Sequence, residues 1–104
     1  MIKHRSVTDI LGASFNDLST ERKRQTGVNY GVEVTDLKNG KIKNVGIKEG
    51  FIILTVNDNR IDSTTSLTKL VETILKQDPD ERVLYIKGLY PNDRVRFFAI
   101  DLND

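Results

Sequence analysis

Few residues in this sequence are equipped for acid–base or nucleophilic chemistry. Its one histidine, His4, would have to serve any Ser–His–Asp device. It sits within residues 1–8, which read as an N-terminal extension or linker with nothing to hold a catalytic side chain in place. The run Gly12-Ala13-Ser14-Phe15-Asn16 opens like a nucleophile elbow, but the Gly-x-Ser-x-Gly turn needs a second glycine where Asn16 stands. Ser14 therefore reads as an ordinary strand residue. The absence of Cys removes thiol nucleophiles, thiolate metal sites and disulfides together. Asp58 and Asp62 flank one turn, yet a calcium loop would need an oxygen ligand at the position of Arg60 and a glycine that does not occur, so they read as solvated loop carboxylates. The glycines at 27, 31, 40, 46 and 50 form neither Gly-x-Gly-x-x-Gly nor a Walker A loop and are turn positions. No metal and no cofactor are expected, and an independent enzyme is the least supported class.

Arg22-Lys23-Arg24 is a basic run that, with Lys3 and Arg5, gathers local positive charge. Its first reading is a solvated helix face; its second is a contact for acidic partners or sister domains. The whole chain has 16 Lys and Arg against 15 Asp and Glu, a formal charge of +1 that supplies no field for a phosphate backbone, so nucleic acid is not an expected partner. Its length of 104 residues suits one domain with one modest core. No apolar stretch approaches the roughly 20 residues of a membrane span. Residues 1–5 are not followed by the apolar segment of a signal peptide, so an exported parent would make this a fragment.

The elements that must position any site follow from apolar spacing. Residues 10–15 are a short apolar stretch broken by Gly12, a strand or strand-like loop. Ser19 or Thr20 caps a short helix that Gly27 stops. Residues 32–37 alternate with a period of two, and Asn39-Gly40 supplies the turn after them. Residues 51–56 are apolar at nearly every position and so form the central strand, buried on both faces. From Ser63 the period changes: Leu67, Leu70, Val71, Ile74 and Leu75 make one stripe of an amphipathic helix, capped by Ser63 and ended by Pro79. Two closing strands, 82–87 and 94–102, are joined by a turn around Gly88, Pro91, Asn92 and Asp93. The pattern is mostly β with two helices: a small, partly open antiparallel barrel or sandwich capped by helices.

In order, Gly31-Val32-Glu33-Val34, Asn39-Gly40 and Val45-Gly46-Ile47-Lys48-Glu49-Gly50-Phe51-Ile52-Ile53-Leu54-Thr55-Val56-Asn57 resemble the core pattern of PDZ domains from Do (HtrA, DegP-like) serine proteases. That pattern runs Gly-Val-x-Val, a loop, then Ala-Gly-[Leu/Ile]-x-x-Gly-Asp-x-Ile-x-x-[Val/Ile]-Asn. Ile10-Leu11-Gly12-Ala13 resembles the family's carboxylate-binding loop, placed early as in the bacterial, circularly permuted arrangement. The similarity spans residues 9–102, taken as the domain. Leu11-Gly12-Ala13 followed by Leu18-Ser19 resembles the second, C-terminal PDZ of a two-PDZ protease. Phe51 stands where the family carries Asp, Val45 where it carries a small Ala, and no Pro lies beside Gly40. Ala13 is a small residue for its position and implies a shallow pocket.

The resemblance implies a peptide-binding module in which an extended hydrophobic C-terminus, or a segment of an unfolded protein, pairs with a free sheet edge at Ala13, Ser14 and Phe15. Amides near Leu11, Gly12 and Ala13 would converge on the terminal carboxylate. The last apolar side chain would sit among Ile10, Leu11, Phe15, Leu67 and Val71, with Thr64 and Thr68 at the rim. Gly12→Val or Ser14→Pro is expected to abolish binding and spare the fold. The implied setting is a periplasmic serine endopeptidase of protein quality control and the heat-shock response. The module's partners there are the parent's protease domain and other PDZ domain, in a homo-oligomer. A structural domain that docks subunits and binds little peptide is the alternative.

Overall fold

The computed structural model describes residues 7–92 and 94–103; His4, Lys3 and Arg5 lie outside the described residues. The chain begins with a helix α1 (Val7–Leu11) and continues through β1 (Ala13–Asp17), α2 (Thr20–Thr26), β2 (Val32–Leu37), α3 (Lys41–Asn44), β3 (Ile52–Val56) and β4 (Asn59–Arg60). It closes with α4 (Thr64–Leu75), a 3-10 turn (Pro79–Glu81), β5 (Val83–Leu89) and β6 (Val95–Asp101). The six strands of the described residues form one antiparallel sheet in the order β1-β2-β3-β5-β6, with β4 paired to β3 beside that path. The sheet stays open, and β1 and β6 are its edges.

The mostly β fold is as expected, but the helix number is corrected. Among the described residues, four α-helices stand where two were expected. The two extra ones, α1 and α3, have five and four residues, too short for a period of 3.6 to repeat. Ile10 and Leu11 therefore belong to a helix and not to the strand read over 10–15. Gly12 terminates that helix in the left-handed region, φ +74, where its N–H donates to the Thr8 carbonyl at 2.8 Å, an αL-type stop. The two longer helices form as their caps dictate. Ser19 Oγ accepts from Arg22 N at the head of α2, and Ser63 Oγ accepts from Ser66 N at the head of α4.

β3 is buried on both faces because two clusters meet it from opposite sides. Phe51, Ile53 and Val56 enter the main core with Leu67, Val71 and Ile74 of α4. Ile52 and Leu54 enter a smaller cluster with Leu18 and Leu89, flanked by Val28 and Tyr30. After Val56 the chain reverses in two residues, Asn57 at φ 51 and Asp58 at φ 65, the left-handed pair that matches strand twist in a tight hairpin. Gly88, read as part of the closing turn, lies inside β5 opposite Ile53 and Arg96. The turn itself falls further on, where Tyr90 N donates to Arg94 O at 3.0 Å.

Candidate functional site

The phase of the β1–β2 ladder decides what β1 offers to a guest. Lys38 N donates to Gly12 O at 2.8 Å, so the next residue, Ala13, turns its N–H and C=O away from β2, as alternation in an antiparallel pair requires. Ser14, opposite Asp36, turns back toward β2. The register then shifts between Ser14 and Phe15, with Thr35 as the extra residue on β2. Val34, opposite Phe15, spends both polar groups on the other side: its N–H donates to Phe51 O and its C=O accepts from Gly50 N. The amide and carbonyl of Phe15 therefore also face outward. Among the described residues β1 is an edge strand, with the N–H and C=O pairs of Ala13 and Phe15 turned outward and unpaired.

The wall opposite this edge is α4, which packs against both β1 and α1. Thr64, Thr68 and Val71 recur at i, i+4 and i+7 and share one helix face. The helix head is pinned to the strand end, where Thr64 N donates to Asp17 Oδ1 at 2.7 Å. This link both supplies an acceptor to a free helix amide and places a carboxylate at a helix N-terminus. It ties the end of β1 to the head of α4, while the start of β1 follows the stop of α1 at Gly12.

The residues expected to form the site lie on α1, β1, α4 and the Gly12 link, elements that contact one another, but not on equal terms. Ile10, Ser14, Phe15, Thr64 and Thr68 are half-buried and reach the surface. Leu11, Ala13, Leu67 and Val71 are buried, so they shape the floor as part of the core and offer a guest little area. The three converging amides are corrected to fewer: Gly12 N–H is committed to Thr8 O, and Leu11 ends α1. Ala13 carries the outward amide at that point. The test substitutions are corrected as well. A Cβ on Gly12 would stand 2.8 Å from Gly40 Cα, at a φ that disfavours side chains, and Pro at Ser14 would remove a donor that faces β2. Both would strike the fold. Asp17, which ties β1 to α4, is a residue the sequence reading did not single out; its partner is 47 positions away, and no local pattern marks it.

Elsewhere the basic run on α2 is partly spent, since Arg22 Nε lies 3.4 Å from Glu33 Oε2. Asp62 is paired with Arg60 at 2.9 Å, and the Arg60 guanidinium lies 4.0 Å over the Tyr30 ring, a cation–π contact. Among the described residues, no helix is long and apolar enough to cross a membrane.

A sequence model described as a PDZ-like domain matches residues 2–77. No curated protein sequence matches the chain. Among solved structures, the fold is similar to that of the HtrA3 PDZ domain bound to a phage-derived ligand, FGRWV, with a TM-score of 0.68 and 21% sequence identity, covering 88% of this chain and 81% of that one.

Proposed function

Because the chain belongs to the PDZ-like domain family, we propose that it captures extended hydrophobic peptides, C-termini above all, by strand addition between β1 and α4. The observation that carries this reading is the free edge at Ala13 and Phe15, whose outward amides and carbonyls are spaced for an antiparallel guest. The similar HtrA3 domain is one bound to a peptide ligand. In this reading the chain is the C-terminal PDZ domain of a periplasmic Do-type serine endopeptidase. It contributes recruitment or regulation to protein quality control and performs no catalysis itself.

One observation favours a second reading, in which the domain mainly docks subunits of the parent oligomer. Gly12 N–H is already taken by Thr8, which leaves fewer amides for a terminal carboxylate. Titration of the 15N-labelled protein with FGRWV, free and C-terminally amidated, separates the two. Peptide capture predicts shifts at residues 13–15 and 64–71, and about tenfold weaker binding on amidation, the effect of losing one charged hydrogen-bond acceptor. Shifts absent from both segments at saturating peptide would remove the proposal.

A further inference from the structure

Among the described residues, the opposite edge of the sheet carries a second unpaired ladder. Leu102 N donates to Arg82 O, and Tyr90 N donates to Arg94 O. In a register that pairs Leu84 with Ile100, Ile86 with Phe98 and Gly88 with Arg96, these bonds assign the even-numbered residues of β6 to β5. The N–H and C=O of Val95, Phe97 and Ala99 therefore point away from the sheet. Their side chains lie on the face turned from the main core, where Phe97 is 72%, Tyr85 63% and Val95 51% exposed. Tyr85 pairs with Ala99 and is the diagonal neighbour of Phe97. A cavity of about 320 Å³ lies against Tyr85, Phe97 and Ala99.

The other face of the same edge is basic. Lys48, Arg94 and Arg96 surround a concavity of about 410 Å³. Among the described residues none of the three makes an ion pair: the pairs present are Arg22–Glu33 and Arg60–Asp62. Two neighbouring carboxylates are engaged elsewhere, Glu49 accepting from Leu37 N and Asp101 from Asn103 N. A further concavity of about 350 Å³ separates Gly46 and Lys48 from Arg96, Phe97 and Phe98, so the strand is flanked by open space along this stretch. Edge strands are normally blunted by charge or cover. Here Arg94 and Arg96 stand on one face, while on the other Val95, Phe97 and Tyr85 are exposed beside Lys87, the cross-strand partner of Phe97.

We propose that β6 is a second docking edge, taking an extended peptide whose residues alternate acidic and apolar. A strand added beside β6 continues the sheet and sends alternate side chains to the two faces. One set meets Val95, Phe97 and Tyr85; the other meets Arg94, Arg96 and Lys48. The free N–H and C=O groups at every second residue match a polypeptide backbone and have no counterpart in a nucleic acid. This site is independent of the β1 edge and stands or falls without it.

The test is titration of the 15N-labelled protein with acetyl-EFEVEFE-amide, blocked at both ends so that no terminal carboxylate is available. Expected are shifts at Val95, Phe97 and Ala99, about tenfold or greater weakening in the Arg94→Glu, Arg96→Glu double variant, and no binding of acetyl-KFKVKFK-amide. Ala99→Pro removes an outward N–H that the fold does not use, so it should abolish binding with the thermal melt little changed. Phe97→Ala, at an exposed site, should weaken binding several-fold and likewise leave the melt in place. Shifts confined to residues 13–15, equal affinity for the lysine peptide, or saturable binding of oligothymidine at this edge would overturn the proposal. So would concentration-dependent self-association that occupies β6 before peptide is added.

Discussion

Gly12 and Gly40 meet back to back: a Cβ built on either would lie 2.8 Å from the Cα of the other. One ends α1 and opens β1; the other precedes α3 and follows β2. Their approach is what lets the turn after β2 lie against the start of the edge strand, where Lys38 N reaches Gly12 O. The proposed carboxylate end of the peptide groove is thus held by backbone contact, with no side chain between the two chains.

Gly12→Ala should destabilise the domain by about 2 kcal/mol or more, the sum of a left-handed φ and an overlap that the backbone must relieve. Gly27 has almost the same φ, +75, with nothing within 4 Å of its would-be Cβ. Gly27→Ala should therefore cost only the conformational part, about 1 kcal/mol. Urea midpoints of the two variants measure the difference. Equal losses would show that the Gly12–Gly40 approach has no energetic weight.

Gly88→Ala should be among the most damaging small substitutions in the chain. A Cβ there would overlap Ile52 O and stand 2.5 Å from the Phe51 ring. Phe51 is fully buried and wedged edge-on between Tyr90 and Phe98, with ring centroids at 5.0 and 5.3 Å. Relief requires moving both that ring and the β3–β5 ladder, a cost of about 3 kcal/mol or more. Phe51→Leu in the Gly88→Ala background, compared with each single variant in a thermal-melt cycle, should recover part of the loss.

How far the sequence disclosed this arrangement depends on the range over which each feature is encoded. The stripe Leu67, Val71, Ile74 and the Ser63 cap are local and repeat, so α4 was legible. The alternation of β2 and the fully apolar β3 were legible for the same reason. Ile10 and Leu11 were not: two apolar residues before a glycine fit either period, and α1 is too short to choose between them. Gly88 looked like a turn residue because the ring that demands it, Phe51, is far away in sequence. The ladder phases that free Ala13 and Phe15 at one edge, and Val95, Phe97 and Ala99 at the other, depend on pairing between distant strands. The bulge at Thr35 leaves no local sign of its own.

Asn57 should prove a strong cross-strand clamp. Its Oδ1 accepts from Tyr85 N at 2.7 Å and its Nδ2 donates to Val83 O at 3.2 Å, while its own N–H donates to Tyr85 O at 2.9 Å. It does this at φ 51, where Asn is the best tolerated non-glycine residue. Asn57→Ala loses both side-chain bonds and adds backbone strain, an expected loss of about 2 kcal/mol. Asn57→Asp keeps the acceptor and should cost about half as much. Hydrogen exchange at Tyr85 should accelerate in the alanine variant and stay protected in the aspartate one; identical exchange in both would refute the division of roles.

Asp17 couples the end of β1 to the head of α4, and its effect should separate from that of an ordinary cap. Asp17→Ala leaves Thr64 N without its acceptor, and Ser63→Ala does the same to Ser66 N; each should lower stability by about 1 kcal/mol. The consequences then diverge, because the Ser63 bond lies within one helix turn while the Asp17 bond ties together β1 and α4, the two walls of the proposed groove. Ser63→Ala should leave peptide affinity nearly unchanged. Asp17→Ala should weaken it several-fold through loss of preorganisation, and Asp17→Asn, which retains an acceptor, should restore most of it. Calorimetric titration with FGRWV beside urea denaturation of the three variants reads both quantities. If affinity simply tracks stability across the set, Asp17 is a cap and nothing more.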